Sequence, residues 1–284
     1  MSRIRAAANC RPIDGFEPLQ RLVLPFAVYT TEQMDERSSR RHLQAKATKV
    51  AQRLDSTYGT PDLGNKVDPL DELVYIALTR QTHEMNAQRT WNSLVAAYPR
   101  WEMLLDAPEE EVASVIADGG FSKQKARWIQ QSLRIIKESF GNLSLAPLER
   151  LDDAQAERFL CALPGIKTKS AKCILMYSLG RQVLPVDTHV RRVSERLGLV
   201  EPGLSSKRIH QELEDAVPRG WHYSYHVNAV VHGRKVCIVA APRCGQCALR
   251  QWCSYYHTNI VAAPREEEHG GLQRAKVHED QSSP

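Results

Sequence analysis

Four of the seven cysteines fall within 17 residues, in the spacing Cys237-x6-Cys244-x2-Cys247-x5-Cys253. Thiolates this close in sequence can enclose a tetrahedral zinc ion or a cubane iron–sulfur cluster, or stay as free thiols. Structural zinc sites usually pair two separated Cys-x2-Cys knuckles, and only one is present here. A single loop that supplies every ligand suits the larger cluster better. The basic residues Arg234, Lys235, Arg243 and Arg250 surround the loop. They could balance the negative charge of such a cluster or point outward to phosphate, the reading taken for Arg243. Cys10, Cys161 and Cys173 are scattered, and the odd total argues against a disulfide framework.

A second constellation is Leu163-Pro-Gly-Ile-Lys-Thr-Lys-Ser-Ala171, between two apolar helical segments. Pro164 and Gly165 stop one helix and allow a tight reversal, so the next begins near Thr168 with unpaired N–H groups facing outward. Such a hairpin offers amides and a positive dipole end to a phosphate without reading base identity. Lys169 falls in the first turn of the second helix. The dipole and the like charge of Lys167 should both depress its pKa, which is what an amine nucleophile needs. A plain phosphate-binding lysine fits the position equally well. Eighteen residues on, Asp187 precedes a helix whose apolar face is Val190, Val193 and Leu197. It reads as an N-cap, or as a carboxylate that stabilises positive charge on a sugar ring or manages protons.

Helical periodicity supplies the elements that must hold these groups. Leu43, Ala47, Val50 and Leu54 mark one apolar face, and Leu70, Leu73, Val74 and Ala77 another after Asp68-Pro69. Further helices are expected over 86–98, 108–117, 122–139, 153–163, 168–179, 188–197, 206–216 and 223–232. Strand-like alternation is almost absent, so the chain is read as all-α. The 284 residues are 42% hydrophobic with 15 Gly and 15 Pro, which excludes collagen-like, mucin-like and wholly disordered chains. No apolar run is long enough to span a bilayer, and no h-region suggests a secretory signal. The net charge is +5. Residues 258–284 hold three Lys/Arg against five Asp/Glu, leaving +7 on residues 1–257, a balance that permits a polyanionic partner.

Together these features resemble the endonuclease III family of helix-hairpin-helix DNA glycosylases with an iron–sulfur loop. The motifs that carry the resemblance are the hairpin, Val186-Asp-Thr-His-Val190, His232-Gly-Arg-Lys-Val-Cys237 and the cysteine loop. Leu78-Thr-Arg-Gln-Thr82 and Gly120-Phe-Ser-Lys-Gln-Lys-Ala126 support it, and the likeness covers about residues 40–257. It implies two helical lobes with the DNA cleft between them: a six-helix barrel that carries the hairpin, and a lobe that carries the cluster. It further implies that Lys169 is the attacking amine of a bifunctional glycosylase/lyase, Asp187 its carboxylate partner, and Cys237, Cys244, Cys247 and Cys253 the ligands of a [4Fe–4S] cluster. Gln81 would fill the gap left by an extruded nucleotide and Phe121 would wedge beside it, with Gly165, Lys167 and His189 as further DNA contacts.

The expected activity is removal of oxidised pyrimidines from duplex DNA, followed by β-elimination at the abasic site. The alternatives are an adenine or mismatch glycosylase without lyase activity, a catalytically weak iron–sulfur DNA-binding protein, and a zinc-bound module. Three departures from the family pattern stand out: Lys167 in place of a second hairpin glycine, Arg191 at an often apolar position, and residues 1–40, which have no counterpart in the minimal enzyme. His83 and Glu84 fall in the segment that lines the family's lesion pocket. The expected organisation is an N-terminal extension over 1–40, a helix of the cluster lobe over 41–64, the barrel over 65–181, the cluster lobe over 182–257 and a disordered tail over 258–284. A monomer is expected, cytoplasmic and nucleoid-associated if bacterial, with organelle targeting as the alternative. Cys161 and Cys173 read as small buried hydrophobes.

Overall fold

The computed structural model describes residues 31–262. The expected behaviour of residues 1–30 and 263–284 lies outside the described residues, as does Cys10. The chain divides between Ser38 and Ser39 into two units; apart from the first residues of the N-terminal helix, the architecture below is that of the second.

Every regular element among the described residues is helical. In order these are α1 (Thr31–Tyr58), α2 (Pro69–Thr79), α3 (Glu84–Ala97), α4 (Trp101–Asp106), α5 (Glu109–Val115) and α6 (Ser122–Phe140), then α7 (Asp153–Ala162), α8 (Thr168–Tyr177), α9 (Thr188–Leu197), α10 (Ser206–Ala216) and α11 (His222–Lys235). Short 3-10 turns join several of them. Helix α1 begins ten residues before the expected position. Its early residues Thr31-Glu-Gln-Met-Asp-Glu-Arg37 carry no apolar stripe but include several good helix formers, and propensity rather than amphipathicity sets that end. Beyond Tyr256 one further helical turn runs over His257–Val261, inside the segment expected to be a tail.

Local chemistry sets the helix boundaries. Asp68 caps α2 by accepting from the amides of Leu70 and Asp71, with Pro69 in the first turn. Asp152 and Gln155 form a reciprocal capping box on α7. Ser205 caps α10.

Two hydrophobic cores follow. One gathers Leu73, Leu94, Ile129, Leu133, Leu160 and Ile174, among others, from α2 through α8. The other joins Ala47, Val50 and Leu54 of α1 to Val190, Leu213, Tyr225 and Leu249. The chain thus returns its N-terminal helix to its C-terminal half. A partly buried ion cluster spans the two: buried Lys172 of α8 pairs with half-buried Glu157 of α7 at 3.1 Å and half-buried Glu214 of α10 at 2.7 Å. Glu214 also accepts from the Leu184 amide at 2.7 Å. Such a pair contributes less to net stability than to fixing one arrangement, because desolvation offsets most of its attraction.

Candidate active site

A cleft of about 450 Å³ opens where the two cores meet. Helix α8 presents Lys169, Cys173 and Tyr177 to it, one helical turn apart. Asp187, at the head of α9, and His226, from α11, complete the wall. The two residues singled out for chemistry therefore share one cavity.

Asp187 does serve as the N-cap: it accepts from the amides of His189 and Val190, both at 2.8 Å. Capping uses only one carboxylate oxygen, Oδ1. The carboxylate also acts on its neighbours, favouring the charged form of both Lys169 and His226.

The expected depression of the Lys169 pKa is not what the structure shows. Cys173, hydrogen-bonded to the lysine, contributes most to a rise, although burial also raises the thiol's own pKa; burial of the lysine opposes the rise, and the Asp187 and Glu72 carboxylates add to it. The helix dipole and Lys167 do not prevail, because Lys167 is exposed while these groups close around the amine. Lys169 is thus an ammonium at neutral pH and must lose a proton before it can attack. His226 is a poor acceptor for that proton: burial lowers its pKa to about 4. Its Nδ1–H donates to the Pro185 carbonyl at 2.8 Å, which leaves Nε2 unprotonated.

The hairpin forms as expected. Gly165 adopts φ +78°, and a Cβ there would lie 2.7 Å from the Trp128 ring, so both backbone conformation and close approach require glycine. No side chain caps the start of α8, which leaves its first amides open to a ligand.

The hairpin is also tied to two neighbouring turns. Arg80 donates to the Gly165 carbonyl and stacks on the Trp128 ring at 4.9 Å. Gln81, next in sequence, is exposed with φ +51°, and Phe121 is 60% exposed, also with φ +51°. Left-handed backbone at a non-glycine residue costs about 1–3 kcal/mol, and such strain concentrates at functional sites.

His189 accepts at Nδ1 from Arg192 at 3.2 Å, which leaves Nε2 to carry the proton. Its pKa is lowered, first by burial, with Arg192 and Arg234 adding to the effect against Asp187. Arg191, one of the departures noted in the sequence, donates to the Leu204 carbonyl and anchors that loop. His83 lines the cleft; the Glu84 side chain lies outside the described residues.

The four loop cysteines line a separate apolar cavity with Arg196, His232 and Arg243. Arg243 therefore stands at the cysteines and not in the cleft, whereas Arg234, grouped with the loop by sequence, lines the cleft. Donors surround the sulfurs: Arg196 reaches Cys237 Sγ at 3.3 Å and the Leu249 amide reaches Cys247 Sγ at 3.4 Å. His232 Nε2 lies 3.5 Å from the same sulfur. Among the described residues no three His, Cys, Asp or Glu side chains converge tightly enough to hold a single metal ion. All four thiols nevertheless line one cavity, as a group held by four cysteines requires.

Sequence reasoning missed Cys173, Tyr177, His226, Glu72 and Arg196. Cys173 was read as a bystander but contacts Lys169. Only its position one turn after Lys169 on the same helical face could have flagged it.

A sequence profile of the HhH-GPD superfamily of base excision DNA repair proteins matches residues 74–219. Endonuclease III of Bacillus subtilis is 31% identical over 187 residues, 66% of this chain and 81% of that protein. Endonuclease III of Escherichia coli is 28% identical over 214 residues, 75% and 96% of the two chains. An Arabidopsis thaliana relative is 31% identical over 168 residues, and the matched stretch spans only 57% of its length. Among solved structures, a trapped endonuclease III–DNA covalent intermediate superposes with a TM-score of 0.66 at 23% identity, covering 76% of this chain and 97% of that one. A thermostable thymine-DNA glycosylase gives the same TM-score at 20% identity, covering 75% and 98%. These structural likenesses establish the fold. Among the described residues no helix is long and apolar enough to cross a membrane.

Proposed function

The chain belongs to the endonuclease III family of HhH-GPD base excision DNA repair proteins, and from that premise we propose that it is a DNA glycosylase and abasic-site lyase acting on oxidised pyrimidines in duplex DNA. The observation that carries this reading is the meeting of Lys169 and Asp187 in one cleft. A lysine is what separates a lyase from a glycosylase that uses water alone.

The residues act in sequence. The α8 amides and the Lys167 ammonium hold phosphates, and Gln81 and Phe121 enter the duplex as a nucleotide leaves the stack. Extrusion is cheapest for a damaged or mispaired base. The Lys169 ammonium gives up a proton to solvent by way of Asp187, which returns to the carboxylate, and the free amine attacks the sugar C1′. The glycosidic bond breaks with its electron pair leaving on the base, while the Asp187 carboxylate stabilises the positive charge that develops on the ring. The amine now bonded to C1′ loses a proton, its lone pair opens the C1′–O4′ bond as O4′ takes up a proton relayed by Asp187, and a protonated Schiff base results. Loss of a 2′ proton then expels the 3′ phosphate by β-elimination, and water releases Lys169.

Cys237, Cys244, Cys247 and Cys253 would hold a [4Fe–4S] cluster, with Arg196 and the Leu249 amide as donors to its sulfur ligands. When bound, the cluster cross-links the C-terminal loop and supplies no step at the sugar. The four cysteines line one cavity, and their single Cys-x2-Cys pair favours a cluster over a lone zinc ion. His189 and Arg243 are proposed as further phosphate contacts.

The test is borohydride trapping on duplexes with an abasic site or thymine glycol. A covalent adduct that disappears in Lys169→Ala supports the lyase. Intact DNA binding without an adduct refutes it.

A further inference from the structure

Helix α6 places its apolar stripe at Ile129, Leu133 and Ile136, and the same stripe begins with a lysine. Lys125 is 1% exposed, as deeply buried as the leucines beside it. Its ammonium meets three acceptors and, among the described residues, no carboxylate: the Leu78 carbonyl at 2.7 Å, the Gly119 carbonyl at 2.9 Å and Thr82 Oγ1. These acceptors belong to two different turns. Leu78 and Thr82 bracket the turn that carries Gln81, and Gly119 lies two residues before Phe121. Thr82 Oγ1 also donates to the Gly119 carbonyl at 2.6 Å, a second tie across the same seam.

We infer that Lys125 is a positioning residue for duplex opening, clamping the Gln81 turn to the Phe121 turn so that both side chains enter DNA as one rigid unit. The inference rests on the roles proposed above for Gln81 and Phe121. Its physical basis is geometric. An ammonium offers three donors from a single atom, and no other side chain does so. Glutamine would satisfy at most two of the acceptors, and arginine's planar fork does not match three that converge on one point. A methionine of the same length would pack as well and donate nothing.

A lysine that served only the core would also be an odd choice, because burial disfavours its charge. Here burial, with Arg80 adding like-charge repulsion, lowers the Lys125 pKa to about 8. The two turns it joins each hold a left-handed non-glycine residue. Such conformations persist only where surrounding bonds over-determine them.

The test compares trapping on an abasic site in duplex DNA with trapping on the same site in a single strand, where nothing has to be opened. In Lys125→Met the ratio of duplex to single-strand rate should fall by about tenfold, with the single-strand rate within about twofold of wild type. Fluorescence of 2-aminopurine opposite the site should rise less than with wild type. Gln81→Ala should lower the same ratio, and the double variant should lose less than the product of the two single losses. A folded Lys125→Met that keeps the wild-type ratio while Gln81→Ala lowers it overturns the clamp and leaves the wedge roles standing. If Gln81→Ala and Phe121→Ala both keep the ratio, the wedge roles fail and the clamp with them. Should thermal melting show Lys125→Met unfolded, Thr82→Val is read instead, since it removes one acceptor and the second tie. An unchanged ratio there overturns the clamp equally.

Discussion

Lys169 faces Asp187 across a cleft whose walls come from different hydrophobic cores, and the carboxylate holds the lysine in its charged form. The carboxylate that keeps the nucleophile charged at rest thus lines the same cleft and can relay its proton. Two buried groups back the pair: Cys173, hydrogen-bonded to the amine, and Glu72, which accepts from Asn65 and from the Lys66 amide.

Asp187→Asn separates the two duties of this side chain. An amide oxygen can still accept from the His189 and Val190 amides, so helix α9 should keep its cap and the melting temperature should change little. The charge is lost, and single-turnover base release should fall by about 100-fold or more while DNA affinity persists. Asp187→Ala should lose the cap as well, at about 1 kcal/mol. Full base release by the Asn variant would remove Asp187 from the chemistry.

The pH dependence follows from the direction of the Lys169 shift. Its pKa lies above the ordinary lysine value, so the amine is protonated throughout the neutral range and its free fraction grows about tenfold per pH unit. Adduct formation on a preformed abasic site should therefore accelerate with pH between about 6 and 9. Asp187→Asn removes one of the groups that raise the pKa, and its profile should move toward lower pH. Single-turnover trapping across a buffer series measures both, and a flat wild-type profile would contradict the assignment.

Gly165→Ala places a methyl against Trp128 and forces an alanine to φ +78°. The conformation alone costs about 1–2 kcal/mol, and each kcal/mol is worth about 2–4 °C in melting temperature for a chain of this size. Trp128 is also the ring on which Arg80 stacks, so the Gln81 turn should shift with it. Calorimetry should show a lowered melting temperature, and duplex affinity should drop more than single-strand trapping. A variant that melts and binds like wild type would show that the hairpin tolerates a side chain.

Cys247→Ala removes one corner of the proposed cluster site. Protein purified without oxygen should lose most of its bound iron and its broad visible absorbance. It should also melt earlier, because Cys253 and Leu249 of the same loop are part of the second core. Lys169 lies in the other cavity, so any folded fraction should still trap an abasic site. Colourless wild-type protein with stoichiometric zinc would overturn the cluster assignment.

Much of this architecture was legible before any coordinates. Helix α9 is one instance: Asp187 and the Val190–Val193–Leu197 stripe mark its start and face, and it runs over Thr188–Leu197. The hairpin is another, since Pro164 and Gly165 leave the chain few ways to continue. Six-residue α4 was invisible because it is too short to show a period, and the start of α1 because it has no apolar face. Lys125 could have been found as a cation in phase with Ile129, Leu133 and Ile136.

By itself the sequence determined most of the helices, the Asp187 cap, the hairpin and the candidate nucleophile, because those depend on neighbours within a few residues. Only the tertiary structure decided the charge state of Lys169, the separation of Arg234 from Arg243 and the partners of Lys125. Each depends on groups brought close from distant parts of the chain, and electrostatic and hydrogen-bond energies follow distance in space. The helix-end argument for a depressed Lys169 pKa was sound locally, and it lost to Cys173, Asp187 and Glu72, which only folding places beside the amine.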